Sequence, residues 1–321
     1  MKALVLEGEK QVLQYKEFDN PRPENGKVIV NVKAAALNHR DVYVTEGLYP
    51  GIVYPIILGS DGVGFYEGRE VIINPSLNWG KNPNYQQKNY KILGLPDNGT
   101  FAEQVLVPKT QIYDKPAHLS FEQAAALPLA GLTAYRALFT KCQLQKGEKV
   151  LISGVGGGVA LFACQFAIAA GAEVYVTSGA EEKLSKAVEL GAKGGVNYKT
   201  EDWQKELTNQ AGGFDVIIDS AAGDGFSNFL KVANPGCRIA IYGGTRGKIQ
   251  NLSPQILFWK QISIFGTTMG NDEDFKNMLD FVNQHQIIPV VDSVFDLKDG
   301  NAALDRMDKG LQFGKIVLFV K

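Results

Sequence analysis

The chain of 321 residues has little cysteine or histidine, with three of each. Cys142, Cys164 and Cys237 are far apart and odd in number, so the sequence predicts neither a disulfide framework nor a cysteine-rich metal site. It also lacks an excess of charge, with 33 Lys and Arg against 34 Asp and Glu. This balance argues against a general attraction to nucleic acid or to an anionic membrane surface. We therefore expect no nucleic-acid and no membrane partner.

Long apolar runs are absent as well. The longest mostly apolar stretch, residues 159–172, contains Gln165 and is too short to span a bilayer. Residues 1–6 run straight into Glu7 and Glu9, which leaves no signal-peptide core of the usual length. With the few cysteines, these absences predict a cytoplasmic protein.

The chain has two regions with different sequence patterns. Residues 1 to about 120 contain short strand-like runs broken by Pro, Gly and Asn. From Lys149 onward, apolar runs alternate with helix-like segments, and such runs are typical of parallel strands buried on both faces. The predicted strands are 150–152, 173–177, 195–198, 214–219, 238–242 and 262–265.

The last part of the chain looks like the first part rather than the middle. A helix-like stretch, residues 272–284, leads to strand-like runs at 290–291 and 315–320. The sequence therefore predicts a nucleotide-type domain at 123–267, inserted into a second domain made of residues 1–122 and 268–321.

A glycine-rich turn, residues 154–158, lies between the first of these strands and an Ala-rich helix. Such a turn lets the backbone approach a pyrophosphate, whose charge is met by N–H groups at the start of the helix. About twenty residues later, Ser178 stands where an NAD-specific site has Asp or Glu. This neutral residue, with Lys183 one turn further on, favours NADPH. Ser178 and Glu181 also have the spacing of a helix capping box, and both interpretations can hold.

Several motifs together carry a family resemblance. They are the glycine turn, Ala-Leu-Asn-His-Arg-Asp at 36–41, Leu-Gly-Ser-Asp-Gly-Val-Gly at 58–64, Ala-Leu-Pro-Leu-Ala-Gly-Leu-Thr-Ala-Tyr at 126–135 and Phe-Gly-Lys-Ile-Val-Leu at 313–318. With them the chain resembles the medium-chain dehydrogenase/reductase superfamily over essentially its whole length. The resemblance implies an α/β fold, in which a Rossmann doubly wound parallel sheet is inserted in a GroES-like β-rich catalytic domain.

Zinc enzymes of this superfamily hold a catalytic zinc with Cys, His and Cys, and the motifs place Asn38, Ser60 and Leu129 at those positions. Zn²⁺ needs about three protein ligands of the Cys, His, Asp or Glu type. His39 and Asp61 could serve only if the loop rearranged. Residues 75–94, which match the four-cysteine lobe of relatives with a structural zinc, contain no cysteine. We therefore predict no metal, and the sequence is similar to the zinc-free branch of quinone oxidoreductases and alkenal or enoyl reductases.

Without a metal, the hydride must go to an acceptor that needs little activation, such as a quinone or a C=C bond conjugated to a carbonyl. The expected partner is thus a small electrophilic molecule. By resemblance, Asn38 lies at the former metal position facing the nicotinamide, and Tyr43 and Tyr49 lie beside the pocket. Either phenol could donate a hydrogen bond to a developing oxyanion; the alternative is ordinary packing. Asp41 is predicted to be a buried acceptor, and His39 to be structural rather than catalytic.

For the cofactor, NADPH, the resemblance implies sites at the pyrophosphate, the 2′-phosphate and the nicotinamide. These are Gly156, Gly157, Gly158 and Val159 at the pyrophosphate; Ser178, Lys183 and Tyr198 at the 2′-phosphate; Thr133, Gly266 and Thr267 at the nicotinamide end; and Gly243 and Gly244 as a second close approach. Lys315 matches a cation that reaches the cofactor phosphate, and a plain strand-edge lysine is its alternative.

Two other functions stay open at this point. One is an alcohol dehydrogenase with an atypical zinc site, and the other is an NADPH-binding protein with little catalysis. The family also suggests a homodimer, formed by the edge strands of the Rossmann domains near residues 262–268.

Overall fold

The computed structural model describes residues 1–321 and divides them into two compact units. The first unit combines Met1–Leu132 with Gly270–Lys321, and the second is Thr133–Met269. No helix combines the length and the apolar character that crossing a membrane requires.

The first unit is rich in strands, and in a strand successive side chains point to opposite faces of the sheet. Its longest strand, Lys27–Ala36, shows this period: every second residue from Val28 to Ala34 is buried, and those between are more exposed. Up to the boundary, the strands are β1 Lys2–Leu6, β2 Gln14–Glu17, β3 Lys27–Ala36, β4 Ile56–Ile57, β5 Asp61–Tyr66, β6 Arg69–Ile73, β7 Ser76–Leu77, β8 Lys91–Ile92, β9 Gln104–Pro108 and β10 Ile112–Asp114. The helices are α1 His39–Thr45, α2 Phe121–Ala126 and α3 Pro128–Tyr135, the last of which contains the boundary; a 3-10 turn covers Lys109–Gln111.

The second unit is one parallel sheet of six strands in the order β13-β12-β11-β14-β15-β16. Its strands are β11 Lys149–Ile152, β12 Glu173–Ser178, β13 Gly194–Asn197, β14 Phe214–Asp219, β15 Ala233–Ile241 and β16 Ser263–Gly266. Its helices are a π-helix at Arg136–Lys141, then α4 Gly158–Ala169, α5 Glu181–Glu189, α6 Trp203–Ala211, α7 Ser227–Val232 and α8 Pro254–Trp259, with a 3-10 turn at Asp224–Phe226. The strand order reverses beside β11, as in doubly wound dinucleotide-binding folds. The predicted α/β class and the doubly wound parallel sheet are confirmed.

The chain then returns to the first unit. Its last elements are α9 Asp272–His285, β17 Val291–Asp296, a 3-10 turn at Leu297–Asp299, α10 Gly300–Asp308 and β18 Lys315–Phe319. These late strands complete a sheet in the order β10-β6-β5-β3-β18-β17, with β9 also paired to β3. A smaller sheet has the order β2-β1-β4, and β7 pairs with β8. One apolar core, from Ala3 to Val320, draws on both ends of the chain.

The segment without cysteines, residues 75–94, is held by aromatic packing. Trp79 is almost fully buried, and its ring meets that of Tyr90 edge to face with centroids 5.4 Å apart. The Trp79 indole N–H donates to Asn82 O over 2.9 Å. Aromatic pairs of this kind stabilise beyond the area that they bury.

One predicted helix start is wrong. Helix α5 begins at Glu181 with Ala180 at its N-cap and without a side-chain cap. Ser178 is instead the last residue of β12, two positions before the cap, and its Oγ accepts from Ala180 N–H over 3.3 Å. The strand extends far enough to exclude Ser178 from the capping box.

Candidate functional site

In the first unit, three strands bring polar residues to one point. Ala36, at the end of β3, pairs with Asp61 of β5 on one side and with Val317 of β18 on the other. Asn38 follows β3 as the N-cap of α1, and Lys315 is the first residue of β18. Strand register therefore places Asn38, Asp61 and Lys315 together inside an otherwise apolar core, and we call these three residues the Lys315 cluster.

The Lys315 cluster is buried, and each N–H of the Lys315 ammonium has a hydrogen-bond acceptor. Lys315 Nζ donates to Leu37 O over 2.6 Å, to Asn38 Oδ1 over 2.6 Å and to Asp61 Oδ2 over 2.9 Å. Asn38 Nδ2 donates to the same Asp61 oxygen over 2.9 Å, and Leu129 N–H donates to Asp61 Oδ1 over 2.8 Å. Lys315, Asn38 and Asp61 are 3%, 7% and 0% exposed.

This arrangement corrects the prediction for Lys315. An ammonium has three N–H donors, and all three are used within the first unit. Lys315 therefore has no donor left for a cofactor phosphate. The sequence did not show this partnership because Lys315 and Asp61 are 254 residues apart.

A second cation lies next to Ser60. Arg40 Nη1 donates to Ser60 Oγ over 2.6 Å and to Leu93 O over 3.0 Å, while its Nε is buried without a partner. The Tyr49 ring lies below this guanidinium, 5.3 Å from Arg40 Cζ. Tyr43 is half-buried, with its ring 6.3 Å from that of His39. Neither tyrosine hydroxyl has a hydrogen-bond partner in the structure, so both phenols are available.

Asp41 is the buried acceptor that the sequence predicts. Its Oδ2 accepts from Asn38 N–H over 2.8 Å at the start of α1. Burial raises the pKa of Asp41 to about 6, against the opposing effects of the Arg40 charge and of this hydrogen bond.

His39 does not have the buried, hydrogen-bonded environment that is expected of a structural histidine. It is exposed, and its ring makes no hydrogen bond in the structure. The part of its ring that is shielded from solvent is desolvated, and this desolvation, followed by the charge of Lys315, lowers the pKa of His39, while Asp308 acts in the opposite direction.

The donor set does not fit a catalytic zinc. No group of three or more His, Cys, Asp or Glu residues could hold a metal ion. At the three positions that hold zinc in metal-dependent relatives, the Asn38 and Ser60 oxygens already accept hydrogen bonds from cations, and Leu129 has an apolar side chain. The one carboxylate close by, Asp61, is paired with Lys315.

In the second unit, the glycine turn has the features that a pyrophosphate site needs. Gly154 and Gly156 have φ angles of +65° and +127°, which other residues adopt only with strain. Gly157 is the N-cap of α4 and Gly158 its first residue, so no side chain caps this helix. The N–H groups of its first turn, including that of Val159, are open to an anion. At the start of the turn, Ser153 Oγ donates to Asp219 Oδ1 over 2.5 Å.

Two of the three residues predicted at the 2′-phosphate, Ser178 and Tyr198, lie at the ends of adjacent strands, and the third, Lys183, lies in α5. Ser178 ends β12, and a Cβ on the next residue, Gly179, would lie 2.7 Å from Tyr198 Oη and 2.9 Å from Lys199 Cε. Lys183 lies against the glycine turn, because a Cβ on Gly156 would lie 2.7 Å from its Cδ. Lys199 is a residue that the sequence analysis missed, although a cation directly after Tyr198 was a usable signal.

Gly243 and Gly244, predicted as the second close approach, follow β15, and the predicted nicotinamide-end residues Gly266 and Thr267 lie at the end of β16. A Cβ on Gly243 would lie 2.7 Å from Ser220 O, whereas Gly244 and Gly266 border open space. Thr133 is buried, with Oγ1 3.9 Å from Met269 Sδ. Thr267 Oγ1 is buried without a hydrogen-bond partner. A buried hydroxyl in this state costs free energy unless a ligand pairs with it, so the second unit fits a dinucleotide.

Family comparisons agree with both units. Residues 24–117 match the family described as "Alcohol dehydrogenase GroES-like domain", and residues 158–284 match "Zinc-binding dehydrogenase".

Relatives align over nearly the whole chain. A "Zinc-type alcohol dehydrogenase-like protein" of Leptosphaeria maculans is 34% identical, covering 95% of this chain and 94% of its own. An "Acryloyl-coenzyme A reductase" of Metallosphaera sedula is 30% identical, covering 99% of both chains. A "Quinone oxidoreductase" of Rattus norvegicus is 30% identical, covering 94% of this chain and 91% of its own.

Solved structures show the same fold. An "NAD-dependent alcohol dehydrogenase" is 36% identical with a TM-score of 0.93, covering 100% of both chains. A quinone oxidoreductase of Thermus thermophilus, described together with "Its Complex with NADPH", is 28% identical with a TM-score of 0.84, covering 99% of this chain and 100% of its own. On these matches and on its two-unit fold, the chain belongs to the medium-chain dehydrogenase/reductase superfamily of oxidoreductases.

Proposed function

We propose that this protein is an NADPH-dependent, zinc-free oxidoreductase that transfers hydride to a quinone or to an α,β-unsaturated carbonyl. The observation that carries the proposal is the donor set of the first unit. An amide, a hydroxyl and an aliphatic side chain occupy positions 38, 60 and 129, and the Lys315 ammonium is bonded to the first of them. These side chains are not of the type that binds Zn²⁺, and the oxygen of Asn38 already accepts a hydrogen bond from the Lys315 ammonium.

The chemistry of the acceptor follows from this donor set. A quinone or a C=C bond conjugated to a carbonyl accepts hydride without a Lewis acid, because its charge moves onto an oxygen that one hydrogen bond can stabilise. Asn38 Nδ2 and the phenols of Tyr43 and Tyr49 are the donors available for that bond. Relatives whose names specify acryloyl-coenzyme A and quinone reduction support this class of acceptor.

NADPH is the proposed cofactor, and when bound it supplies the hydride. Ser178 puts no carboxylate at the end of β12, and Lys183 and Lys199 lie near the neighbouring glycines. Glu181, the first carboxylate after Ser178, accepts from Asn197 Nδ2 over 2.8 Å. A neutral strand end with cations beside it favours a 2′-phosphate over a free ribose hydroxyl. The NADPH complex of the Thermus relative supports this choice.

A homodimer is also proposed. Strand β16 is an edge of the six-stranded sheet, and an unpaired edge is a template for another strand. Just before it, α8 buries none of its residues and exposes 65% of Phe258 and 83% of Trp259. Aromatic side chains left this open are typical of interfaces.

Steady-state oxidation of NADPH tests the proposal. Purified protein is assayed with naphthoquinone and with crotonaldehyde, each in the presence of a metal chelator, and with NADH in parallel. We expect turnover with at least one acceptor and a higher kcat/KM for NADPH than for NADH. Activity that appears only with an alcohol and added zinc would overturn the proposal.

A further inference from the structure

We propose that Lys315 is a positioning residue. Together with Asp61, it fixes the carboxamide of Asn38 in the one orientation that leaves an N–H free to donate to the oxygen of the substrate. This inference rests on the proposed function, because it specifies how that site stabilises the substrate oxygen that gains negative charge during hydride transfer.

Charge fixes the orientation of the Asn38 side chain. Its Oδ1 accepts from the Lys315 ammonium over 2.6 Å, and its Nδ2 donates to the Asp61 carboxylate over 2.9 Å. If the carboxamide turned over, its NH₂ group would meet the ammonium and its oxygen would meet the carboxylate. Both charge-assisted hydrogen bonds would become repulsive. Only one of the two amide orientations is therefore compatible with this pair.

One donor of the cluster is left over. The carboxamide nitrogen carries two protons, and Asp61 accepts one of them. The structure contains no acceptor for the other, while Lys315 has an acceptor for each of its three protons. Asn38 keeps 7% of its surface exposed. The remaining N–H of Asn38 is thus the one unpaired donor that the cluster presents.

Burying the Lys315–Asp61 pair has an energetic cost. The side chains of Lys315 and Asp61 are 4% and 0% exposed, and desolvation of such a pair can exceed the attraction between its charges. Two apolar residues would fill the same space without that cost. Fixing the amide of Asn38 is a function that apolar residues could not perform, and it accounts for the presence of the pair.

The fixed N–H has a defined task in the reaction. When hydride reaches the β-carbon of an α,β-unsaturated carbonyl, the electron pair of the C=C π bond forms a new π bond between the α-carbon and the carbonyl carbon. The C=O π bond then breaks, and its electron pair moves onto the oxygen. Asn38 Nδ2–H donates to this enolate oxygen, and the α-carbon then takes a proton from water to give the saturated carbonyl. A donor that is already oriented pays no reorganisation cost at that moment.

Two variants of similar side-chain size, one with and one without a hydrogen-bonding amide at position 315, test this role. Both carry Asp61→Asn, so that no buried carboxylate is left unpaired. Lys315→Met removes the donor to Asn38 Oδ1, whereas Lys315→Gln keeps an N–H donor on a side chain of about the same length as Met. Relative to the natural protein, we expect kcat of the Met variant to be lower by roughly tenfold to a hundredfold, with little change in the KM for NADPH. The Gln variant should retain several times more activity. Equal kcat values for the two variants would overturn the proposal.

A double-mutant cycle shows whether Lys315 acts through Asn38. The same Met and Gln variants are compared in an Asn38→Ala background. If Lys315 only orients the carboxamide, the difference in kcat between them disappears once the carboxamide is gone. A difference that persists undiminished would mean that Lys315 acts directly, and would contradict the positioning role.

A readout independent of activity separates this inference from the proposed function. In protein labelled with nitrogen-15 asparagine, the side-chain amide signals of Asn38 are identified by their loss in Asn38→Ala. The proton that Asn38 donates to residue 61 should exchange slowly in the natural protein. It should exchange clearly faster in the Met variant than in the Gln variant, which carries the same Asp61→Asn change. If this holds while neither naphthoquinone nor crotonaldehyde is reduced, the proposed function fails and the positioning role stands. Equal exchange rates in the Met and Gln variants would overturn the positioning role whatever the activity.

Discussion

Asn38 Nδ2 donates to Asp61 Oδ2 over 2.9 Å and thereby joins the N-cap of α1 to the first residue of β5. Both residues lie beside Ala36, where β3 ends, so the contact depends on the register of β3 and β5. In a zinc enzyme of this superfamily a thiolate would stand at position 38. Here an amide stands there, and its orientation is set by the charged neighbours Asp61 and Lys315.

Replacing the amide should affect chemistry more than binding. We expect Asn38→Ala to lower kcat by about a hundredfold, the usual effect of removing one donor to a developing oxyanion. The KM for NADPH should change little. Steady-state kinetics with naphthoquinone and crotonaldehyde measure both values. Asn31→Ala, which removes an exposed asparagine from the same strand region, is the matched control and should keep full activity. An Asn38→Ala protein as active as this control would refute the role of the amide.

A negative charge at the end of β12 should reverse the cofactor preference. We expect Ser178→Glu to lower kcat/KM for NADPH by at least about tenfold, because a carboxylate there would repel the 2′-phosphate. The value for NADH should stay the same or rise. Ser185→Glu adds the same charge at an exposed position of α5 and should leave the preference unchanged. If the ratio of kcat/KM for NADPH to that for NADH is the same in both variants as in the natural protein, Ser178 does not lie at the 2′-phosphate.

The buried carboxyl of Asp41 should make stability depend on pH. Burial raises its pKa to about 6 in the folded protein, against about 3.9 in the unfolded chain. The folded state therefore holds this proton more tightly, so the contribution is fully present below pH about 4 and is lost as the pH rises through about 6. Asp41→Asn keeps an acceptor for Asn38 N–H but does not titrate.

Urea unfolding at several pH values measures this contribution. Between pH about 4 and about 7, the free energy of unfolding of the natural protein should fall relative to that of Asp41→Asn by up to about 3 kcal/mol. Other titrating groups are shared by the two proteins and cancel in the difference. A difference that does not vary with pH would show that the Asp41 pKa is not raised.

The exposed aromatic residues of α8 should hold the dimer together. We expect Phe258→Lys with Trp259→Glu to convert a dimer into a monomer in light scattering coupled to size exclusion, because charged groups would replace the apolar contact. Tyr85→Lys, at an exposed aromatic residue of the first unit, should leave the mass unchanged. A natural protein that is already monomeric would refute the proposed dimer, and a dimer that survives the change would place its contact elsewhere.

Much of the fold could be predicted because its signals are local. The six strands of the second unit appear in the sequence as apolar runs, and the glycine turn marks the step from β11 to α4. Their bounds were harder to predict: β15 begins at Ala233, well before the apolar run at 238–242. The capping box at Ser178 failed because β12 runs on to that residue.

The candidate site was less predictable because it depends on long-range pairing. The motifs located Asn38, but nothing local shows that β18 pairs with β3 and delivers Lys315 to it. Lys315 was accordingly expected at a cofactor phosphate. Lys199 directly follows Tyr198, which is a local signal for a cation at this site, but its position near Gly179 follows from the pairing of β12 with β13.

Tracing the hydride itself tests the central claim most directly. Protein treated with chelator is incubated with crotonaldehyde and with NADPH deuterated at the transferable position, and the product is examined by mass spectrometry and NMR. The account predicts butanal with deuterium on the β-carbon, or, if the protein prefers quinones, reduction of naphthoquinone under the same conditions. An alcohol with deuterium on the carbon that bears the hydroxyl group, formed only when zinc is added, would contradict it.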